Sequence, residues 1–313
     1  MRVIVTGGAG FIGANFCRGL GEANWIDEVV ALDDLSTGSS DNLQGTQADI
    51  VEGSILDNST LDKAFRGANS VVHLAARPSV PRSIADPIAS HEVNTTGTAR
   101  VLEAVRRNGI GHVIVASSSS VYGDSPTLPK REDAAPAPLS PYAATKLATE
   151  AYALAWANSY DISILAFRFF NVFGPLQPAR HAYAAVVPAF IDAALAGRPL
   201  PVYGDGRQTR DFTFVGSVTS VLADAVRRRV SWPRPVNLAF GTQTSLIRLI
   251  ALIEEILGHR LEREHLSARP GDVRSSRADQ TLLRSLFPDV TSVPIEEGLR
   301  ATISWFRQLD DGM

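Results

Sequence analysis

Thr6-Gly-Gly-Ala-Gly-Phe-Ile-Gly13 is the stretch that decides the fold. It follows Met1-Arg2-Val3-Ile4-Val5, which reads as a strand running into the turn, and it precedes an apolar helical stretch. Glycines stand at 7, 10 and 13, and the dinucleotide spacing also recurs at 8, 10 and 13. Glycine lets the backbone turn sharply. It also lets a pyrophosphate reach the N-terminus of the next helix, where N–H groups and the helix dipole meet negative charge. Outward from the turn, Val29-Val30-Ala31-Leu32 reads as a second strand that ends in Asp33. An acid at that strand end accepts from both ribose hydroxyls and repels a 2′-phosphate, which predicts NAD as the cofactor rather than NADP.

The alternation continues. Strands are expected at 48–52, at Ser70-Val-Val-His-Leu74 running into Ala75-Ala76, and at His112-Val-Ile-Val-Ala116 running into Ser117-Ser-Ser-Ser120-Val-Tyr-Gly123. Helices are expected at 58–65 and 87–107, the second closing on Arg106-Arg107-Asn108-Gly109, as cations and glycine favour a helix end. Near-continuous apolar strands alternating with helices imply an α/β, Rossmann-like, doubly wound parallel sheet covered on both faces. Ligands bind beyond the carboxyl ends of such strands. The glycine turn, Asp33, Ala75-Ala76 and the serine run all fall at those ends.

With 313 residues the chain is long enough for a main domain and a smaller lobe. Lys plus Arg number 30 against 33 Asp plus Glu, a net charge of −3, so nothing calls for nucleic acid or an anionic membrane. The single cysteine, Cys17, excludes an intramolecular disulfide and is expected to pack in its helix. No run approaches 18 uncharged apolar residues, and the strand at residue 1 leaves no room for a signal peptide, so the expectation is a soluble cytoplasmic protein. No metal is called for.

Tyr142-Ala-Ala-Thr-Lys146 follows the turn signal Ser140-Pro141 and opens a run of helix formers reaching about Trp156. A Tyr and a Lys four apart share one helix face, so the ammonium can favour the ionised phenol. A phenol titrates near ~10, and working at neutral pH needs about 4 kcal/mol of help, more than one partly exposed Lys supplies. A second positive charge is required.

Together the Thr-Gly-x-x-Gly-x-x-Gly turn, His73-Leu-Ala-Ala76, the serine run, Tyr142-x-x-x-Lys146 and Arg168-Phe-Phe-Asn-Val-Phe-Gly-Pro175 resemble the extended short-chain dehydrogenase/reductases. Within them the chain is similar to the NAD-dependent nucleotide-sugar epimerase/dehydratases, over nearly its whole length. The resemblance implies a Rossmann domain over 1–170, with a return segment near 232–242, and a smaller α/β C-terminal substrate lobe over 171–313. It implies Tyr142 as the base, Lys146 as the holder of the nicotinamide ribose, and Ser118 as the hydroxyl that bonds the reacting sugar oxygen. Oxidised nicotinamide is then the missing cation. The cofactor-binding positions it implies are Gly7, Gly10, Phe11, Ile12, Gly13, Asp33, Ile55, Leu74, Ala75, Ala76, Asn94, Tyr142, Lys146 and Phe169. For the UDP-sugar substrate they are Ser79, Arg82, Ser118, Ser119, Ser120, Asn171, Val187, Tyr203, Arg210, Arg269 and Ser276. Arg210 and Arg269 are the expected phosphate ligands, with Arg274 a weaker third, because guanidinium bonds phosphate oxygens in pairs.

Relatives that eliminate water across C5 and C6 carry an acid pair directly after the hydroxyl residue, because C5 must lose a proton and the C6 hydroxyl must gain one. Here those places hold Ser119 and Ser120, which argues against an NDP-sugar dehydratase. The expectation is a UDP-hexose 4-epimerase passing through a 4-keto sugar. Ser276 stands where the family has a residue beside the sugar C2 substituent, and a serine leaves room there. With the loop Ser79-Val-Pro-Arg-Ser83 it leans the reading to UDP-N-acetylglucosamine. A UDP-glucuronate 4-epimerase, with Arg82 meeting the carboxylate, is the alternative; a redox-inert nucleotide-binding protein and a plain NDP-sugar reductase are the other classes. Ser54 and Ser217 depart from the family's usual Asp, which bears on adenine affinity and lobe packing. Helices near 217–229, 245–257 and 295–308 are expected to complete the lobe, and apolar residues over 94–107 and 142–158 suggest a homodimer.

Overall fold

The computed structural model describes residues 1–179, 184–267 and 273–311. The N-terminal part runs β1 (Arg2–Thr6), α1 (Phe11–Gly21), β2 (Glu28–Asp33), β3 (Ala48–Glu52), α2 (Asn58–Phe65) and β4 (Ser70–His73). It continues with α3 (Val80–Ala85), α4 (Pro87–His91), α5 (Gly97–Arg107), β5 (His112–Ser118), α6 (Pro141–Tyr160) and β6 (Ser163–Phe169). Then come β7 (Val172–Phe173), α7 (Val186–Leu195), β8 (Leu200–Tyr203), β9 (Thr209–Arg210), β10 (Thr213–Phe214) and α8 (Val215–Arg228). The last elements are β11 (Val236–Leu238), β12 (Thr244–Ser245), α9 (Leu246–Leu257), β13 (Arg263–Leu266), α10 (Thr281–Leu286) and α11 (Ile295–Asp311).

Seven parallel strands form the main sheet in the order β11-β6-β5-β4-β1-β2-β3. The order reverses between β1 and β4, so the crevice of a doubly wound sheet opens there. Alternation along the strands fills two cores. Val3 and Val5 of β1, Ile114 of β5 and Leu165 and Phe167 of β6 pack under α1 and α8. Ile4, Val113, Val115, Ile164 and Ala166 face the other way, toward α2 and α5. A third core, from Phe190 and Ile191 of α7, Leu200 and Val202 of β8, Leu249 and Ile253 of α9 and Leu299 and Ile303 of α11, belongs to the lobe.

Two features depart from the sequence reading. The helix over 87–107 contains a π turn at Glu92–Thr96 and is preceded by the separate helix α3. The segment 215–228 does not join the lobe: Val218, Val221, Leu222, Ala225 and Val226 pack with α1 on the sheet. Its apolar stripe is as long as a lobe helix would show, and periodicity does not say which core a stripe faces. The return segment expected near 232–242 does rejoin the main sheet: β11 lies at its edge, paired in parallel with β6. Among the described residues no helix is long and apolar enough to cross a membrane.

Candidate active site

The glycine turn is held by its neighbours at van der Waals limit. Gly7 has φ +71°, and a Cβ there would lie 2.7 Å from the Ala75 nitrogen. A Cβ on Gly13 would fall 2.1 Å from the Gly7 oxygen, so α1 starts in direct contact with the turn. Gly10 caps α1 with no side chain of its own. Phe11 and Ile12 are half-buried on the first turn. Asp33, nearly buried at the end of β2, accepts from the Ala9 and Leu35 N–H groups at 2.9 Å each. Burial pushes its carboxyl above the usual range, while those two N–H groups pull it down. Leu74, Ala75 and Ala76 leave the end of β4 half-buried, with the Ala75 N–H on the Thr6 hydroxyl at 3.3 Å.

Ser118 ends β5 and Tyr142 begins α6, one residue past Pro141 and two past the cap Ser140, whose hydroxyl accepts from the Ala143 N–H at 3.2 Å. Proline at the first helical position and serine at the cap fix where this helix starts. The nearby Ser118 hydroxyl favours ionisation of the Tyr142 phenol, but burial outweighs it and the phenol stands above its usual value near 10. Lys146 is 6% exposed; its Nζ donates to the Ala116 carbonyl at 2.8 Å and lies 6.0 Å from the Tyr142 ring centre. Burial pulls that ammonium down to about 8. The lysine is therefore aimed at the end of β5, and the expected lowering of the phenol by Lys146 is not produced by the chain's own groups.

After Ser118 the chain turns through Ser119–Tyr122 as one short 3₁₀ segment. The Ser120 Oγ is buried there without a hydrogen-bond partner among the described residues. Ser79, in the strained left-handed region at φ +95°, caps α3 and accepts from the Arg82 N–H. Ser83 latches this loop to the catalytic helix by accepting from the Tyr142 N–H at 3.0 Å. Arg82 is half-buried, and no described residue pairs with its guanidinium.

On the lobe side, Arg210 in β9 pairs with Thr244 in β12, and the Ser276 N–H donates to Thr209 at 3.1 Å, so Ser276 sits beside Arg210. Tyr203 ends β8, where its carbonyl accepts from Gln208 at 2.7 Å. Phe169 ends β6, half-buried, and exposed Asn171 just beyond it donates to the Asp211 carbonyl at 3.3 Å. Arg269 lies outside the described residues. Three of the expected residues have their side chains engaged within the chain. Val187 is 2% exposed inside the lobe core. Asn94 spends its amide on the Arg77 backbone and on Thr145, bracing residue 77 against α6. Ile55 is buried against the backbone of Gly97.

The model of the NAD dependent epimerase/dehydratase family matches residues 3–239. The chain belongs to this family. A UDP-glucose 4-epimerase of Mycolicibacterium smegmatis is 38% identical, over 98% of this chain and 99% of the relative. Among solved structures, the UDP-N-acetylglucosamine 4-epimerase of Methanobrevibacter ruminantium, in complex with UDP-N-acetylmuramic acid, superposes with a TM-score of 0.93 at 35% identity, covering 98% of each chain. The UDP-glucuronic acid 4-epimerase of Bacillus cereus, bound to UDP-glucuronic acid and NAD, gives 0.90 at 29% identity, covering 99% of this chain and 100% of that one. An NDP-hexosamine 5,6-dehydratase, TunA, gives 0.88 at 32% identity, covering 98% of each chain.

NAD is the cofactor of this family, and the residues present fit it. The cradle between Gly7, Gly10 and Gly13 is one that side chains would fill, and the Asp33 carboxylate waits at the neighbouring strand end. Sequence reasoning missed the buried groups that flank Ser118 and Lys146. Glu150, one turn beyond Lys146, accepts Ser117 Oγ at 2.5 Å and pairs with Arg168 through two 2.8 Å bonds, the two side chains being 4% and 3% exposed. Their signal was present: an acid in the otherwise uncharged middle of α6, and an arginine inside the apolar strand β6.

Proposed function

We propose that the protein is a cytoplasmic, homodimeric UDP-sugar 4-epimerase, with UDP-N-acetylglucosamine favoured among its substrates. Tyr142, as the phenolate, takes the proton of the C4 hydroxyl while Ser118 holds that oxygen. Bound NAD supplies the hydride acceptor and a positive charge in the crevice. Lys146, fixed on the Ala116 carbonyl, holds the ribose side of the cofactor. Arg210 and Arg269 anchor the diphosphate, with Tyr203 and Asn171 along the nucleotide, so that the 4-keto sugar can turn over and regain hydrogen on its other face.

The observation that carries this reading is the approach of the Ser118 hydroxyl, at the end of β5, to the Tyr142 phenol at the head of α6, with a turn after Ser118 that holds serines and no carboxyl. A turn of this kind has no acid to protonate a leaving C6 hydroxyl. Ser276, 8% exposed beside Arg210, supports a roomy C2 wall. The aromatic row Tyr152-Trp156-Tyr160 along α6, exposed at its two tyrosines and half-buried at Trp156, supports pairing of two copies through α5 and α6. Incubation with UDP-glucose, UDP-glucuronate and UDP-N-acetylglucosamine, read by NMR, tests it: no C4 epimer of any would end the proposal.

UDP-glucuronate is the second reading, favoured by the Arg82 guanidinium and the Ser120 hydroxyl, which have no partner among the described residues and both of which suit a carboxylate. Arg82→Leu then abolishes turnover of the glucuronate and spares that of the neutral sugars.

A further inference from the structure

Asn237 is a polar residue in a place that calls for none. It lies in β11 between Val236 and Leu238, and like them it is fully buried. An apolar residue would suit that strand and avoid the cost of burying an amide. Instead every polar atom of its side chain is used. Oδ1 accepts from the Tyr122 hydroxyl at 2.6 Å; Nδ2 donates to the Lys130 carbonyl at 2.8 Å and to the Asp279 carbonyl at 3.3 Å.

The two sides of this amide lead to the two halves of the site. Tyr122 closes the turn that Ser118 opens, and its ring lies 4.6 Å beneath the Arg168 guanidinium, which is paired with Glu150 on the catalytic helix. On the other side, Lys130 is bonded into the strand-like segment that carries Ser276. The Lys130 N–H donates to Arg277 at 2.7 Å and the Asp279 N–H donates back to Lys130 at 2.8 Å. That segment is pinned again where the Ala278 N–H meets the buried Asp211 carboxylate at 3.0 Å, beside Arg210. Val121, Tyr122, Phe170, Ala239 and Ala278 pack around the junction.

We propose that Asn237 is a positioning residue for substrate selection: it sets the distance between the serine turn, where C4 reacts, and the 276–279 segment, which walls the C2 side of the sugar. The inference rests on the UDP-sugar reading of the site. A fully satisfied buried network fixes one geometry, and a partly satisfied one does not. Asn237→Asp keeps the acceptor for Tyr122 but sets a carboxylate oxygen against the carbonyls of Lys130 and Asp279. It therefore moves the wall and leaves the turn. Tyr122→Phe removes the link on the turn side and leaves the wall.

Both variants are to be purified as holoenzymes and checked for NAD content. Titration calorimetry then gives dissociation constants for UDP-N-acetylglucosamine and UDP-glucose, and turnover is measured per bound NAD. Asn237→Asp is expected to change the ratio of the two dissociation constants at least fivefold. Tyr122→Phe is expected to lower kcat about tenfold, leaving that ratio within twofold. A ratio unchanged in Asn237→Asp overturns the proposal, whatever happens to its melting temperature, because an amide that only stabilises the fold would not move it. If Asn237→Asp does not fold, Ser276→Tyr made in wild type and in Tyr122→Phe decides. Coupling requires its effect on affinity to differ at least threefold between the two backgrounds, and equal effects refute it. Affinity makes the test independent of turnover, so a wild type that binds both sugars but epimerises neither sinks the epimerase reading alone.

Discussion

The two glycines at the start of α1 separate the roles of fold and cofactor. Gly13→Ala places a methyl 2.1 Å from the Gly7 oxygen and 2.8 Å from the Gly8 Cα, both backbone atoms that cannot rotate away. An ordinary carbon–oxygen contact is roughly 3.3 Å, so turn and helix must part by about 1 Å. Overpacking of that kind costs ~1–3 kcal/mol, against ~1 kcal/mol gained from the better helix former. Gly10→Ala is different. Gly10 has φ −78° and ψ 174°, open to any residue, and the added methyl would come no closer than 3.2 Å to the Gly7 oxygen. Its stability should change by less than ~0.5 kcal/mol, the poorer cap being offset by a less flexible unfolded chain.

The same methyl stands where a pyrophosphate must approach. Losing one backbone hydrogen bond to a charged oxygen costs ~1.5–3 kcal/mol, or roughly 10- to 150-fold in affinity. Urea unfolding of cofactor-free protein and calorimetric titration with NAD measure the two quantities separately. Gly10→Ala should keep its urea midpoint and lose at least tenfold in NAD affinity; Gly13→Ala should lose both. If Gly10→Ala bound NAD within twofold of wild type, the assignment of the turn to the pyrophosphate would be wrong.

Other consequences can be measured independently. Tyr142→Phe should retain NAD and lose ~10²–10⁴ in kcat, the usual share of a general base, and substantial activity would remove Tyr142 from the chemistry. Glu150→Gln should cost ~3–5 kcal/mol in urea unfolding because it leaves the Arg168 charge buried and unpaired, whereas replacing both by leucine should recover most of that loss. Lys146 has a folded pKa depressed from 10.5 to about 8, so its ammonium destabilises the cofactor-free fold at neutral pH, and this cost fades as pH rises from about 8 to 10.5. Lys146→Met should accordingly stabilise that form at pH 7 by up to about 3 kcal/mol, shrinking to nothing near pH 10.5, while activity is lost. Ser276→Tyr should shift preference from UDP-N-acetylglucosamine toward UDP-glucose in competition assays; an unchanged preference would deny it the gate.

What the sequence made legible is whatever local chemistry dictates. A glycine turn between a strand and a helix, an acid closing β2, and Ser140-Pro141 at the head of α6 each follow from the backbone demands of a few neighbouring residues. What stayed hidden depends on partners far along the chain. Asn94 has the spacing of a cofactor ligand, but its amide is taken by Arg77 and Thr145, from 17 and 51 residues away, at the π turn that interrupts the helix there. Such turns occur mostly as local widenings near functional sites, and no periodicity announces them. The stripe of α8 was misplaced for the same reason: an apolar residue declares that it is buried, not against what. The Tyr122–Asn237 bond joins positions 115 residues apart and left no local signal at all.

The order in which Lys146 and Tyr142 titrate explains why the pair alone is not yet a base. Burial lowers the ammonium to about 8 and raises the phenol above 10, so the lysine has already lost its charge before the phenol can ionise. A neutral amine does nothing for a phenolate, and the proximity of the two residues is silent. The charge that does persist at neutral pH is felt elsewhere: together with burial it holds His73, bonded to Thr6 and Thr98, down to about 3 and therefore neutral. A second cation reverses the sequence of events. Once an added positive charge and the nearby Ser118 hydroxyl bring the phenol below the lysine, ammonium and phenolate coexist and each stabilises the other, as coupled sites do. On the proposed reading the base would be assembled only when oxidised cofactor is bound, which would confine deprotonation of a C4 hydroxyl to sites already holding the hydride acceptor.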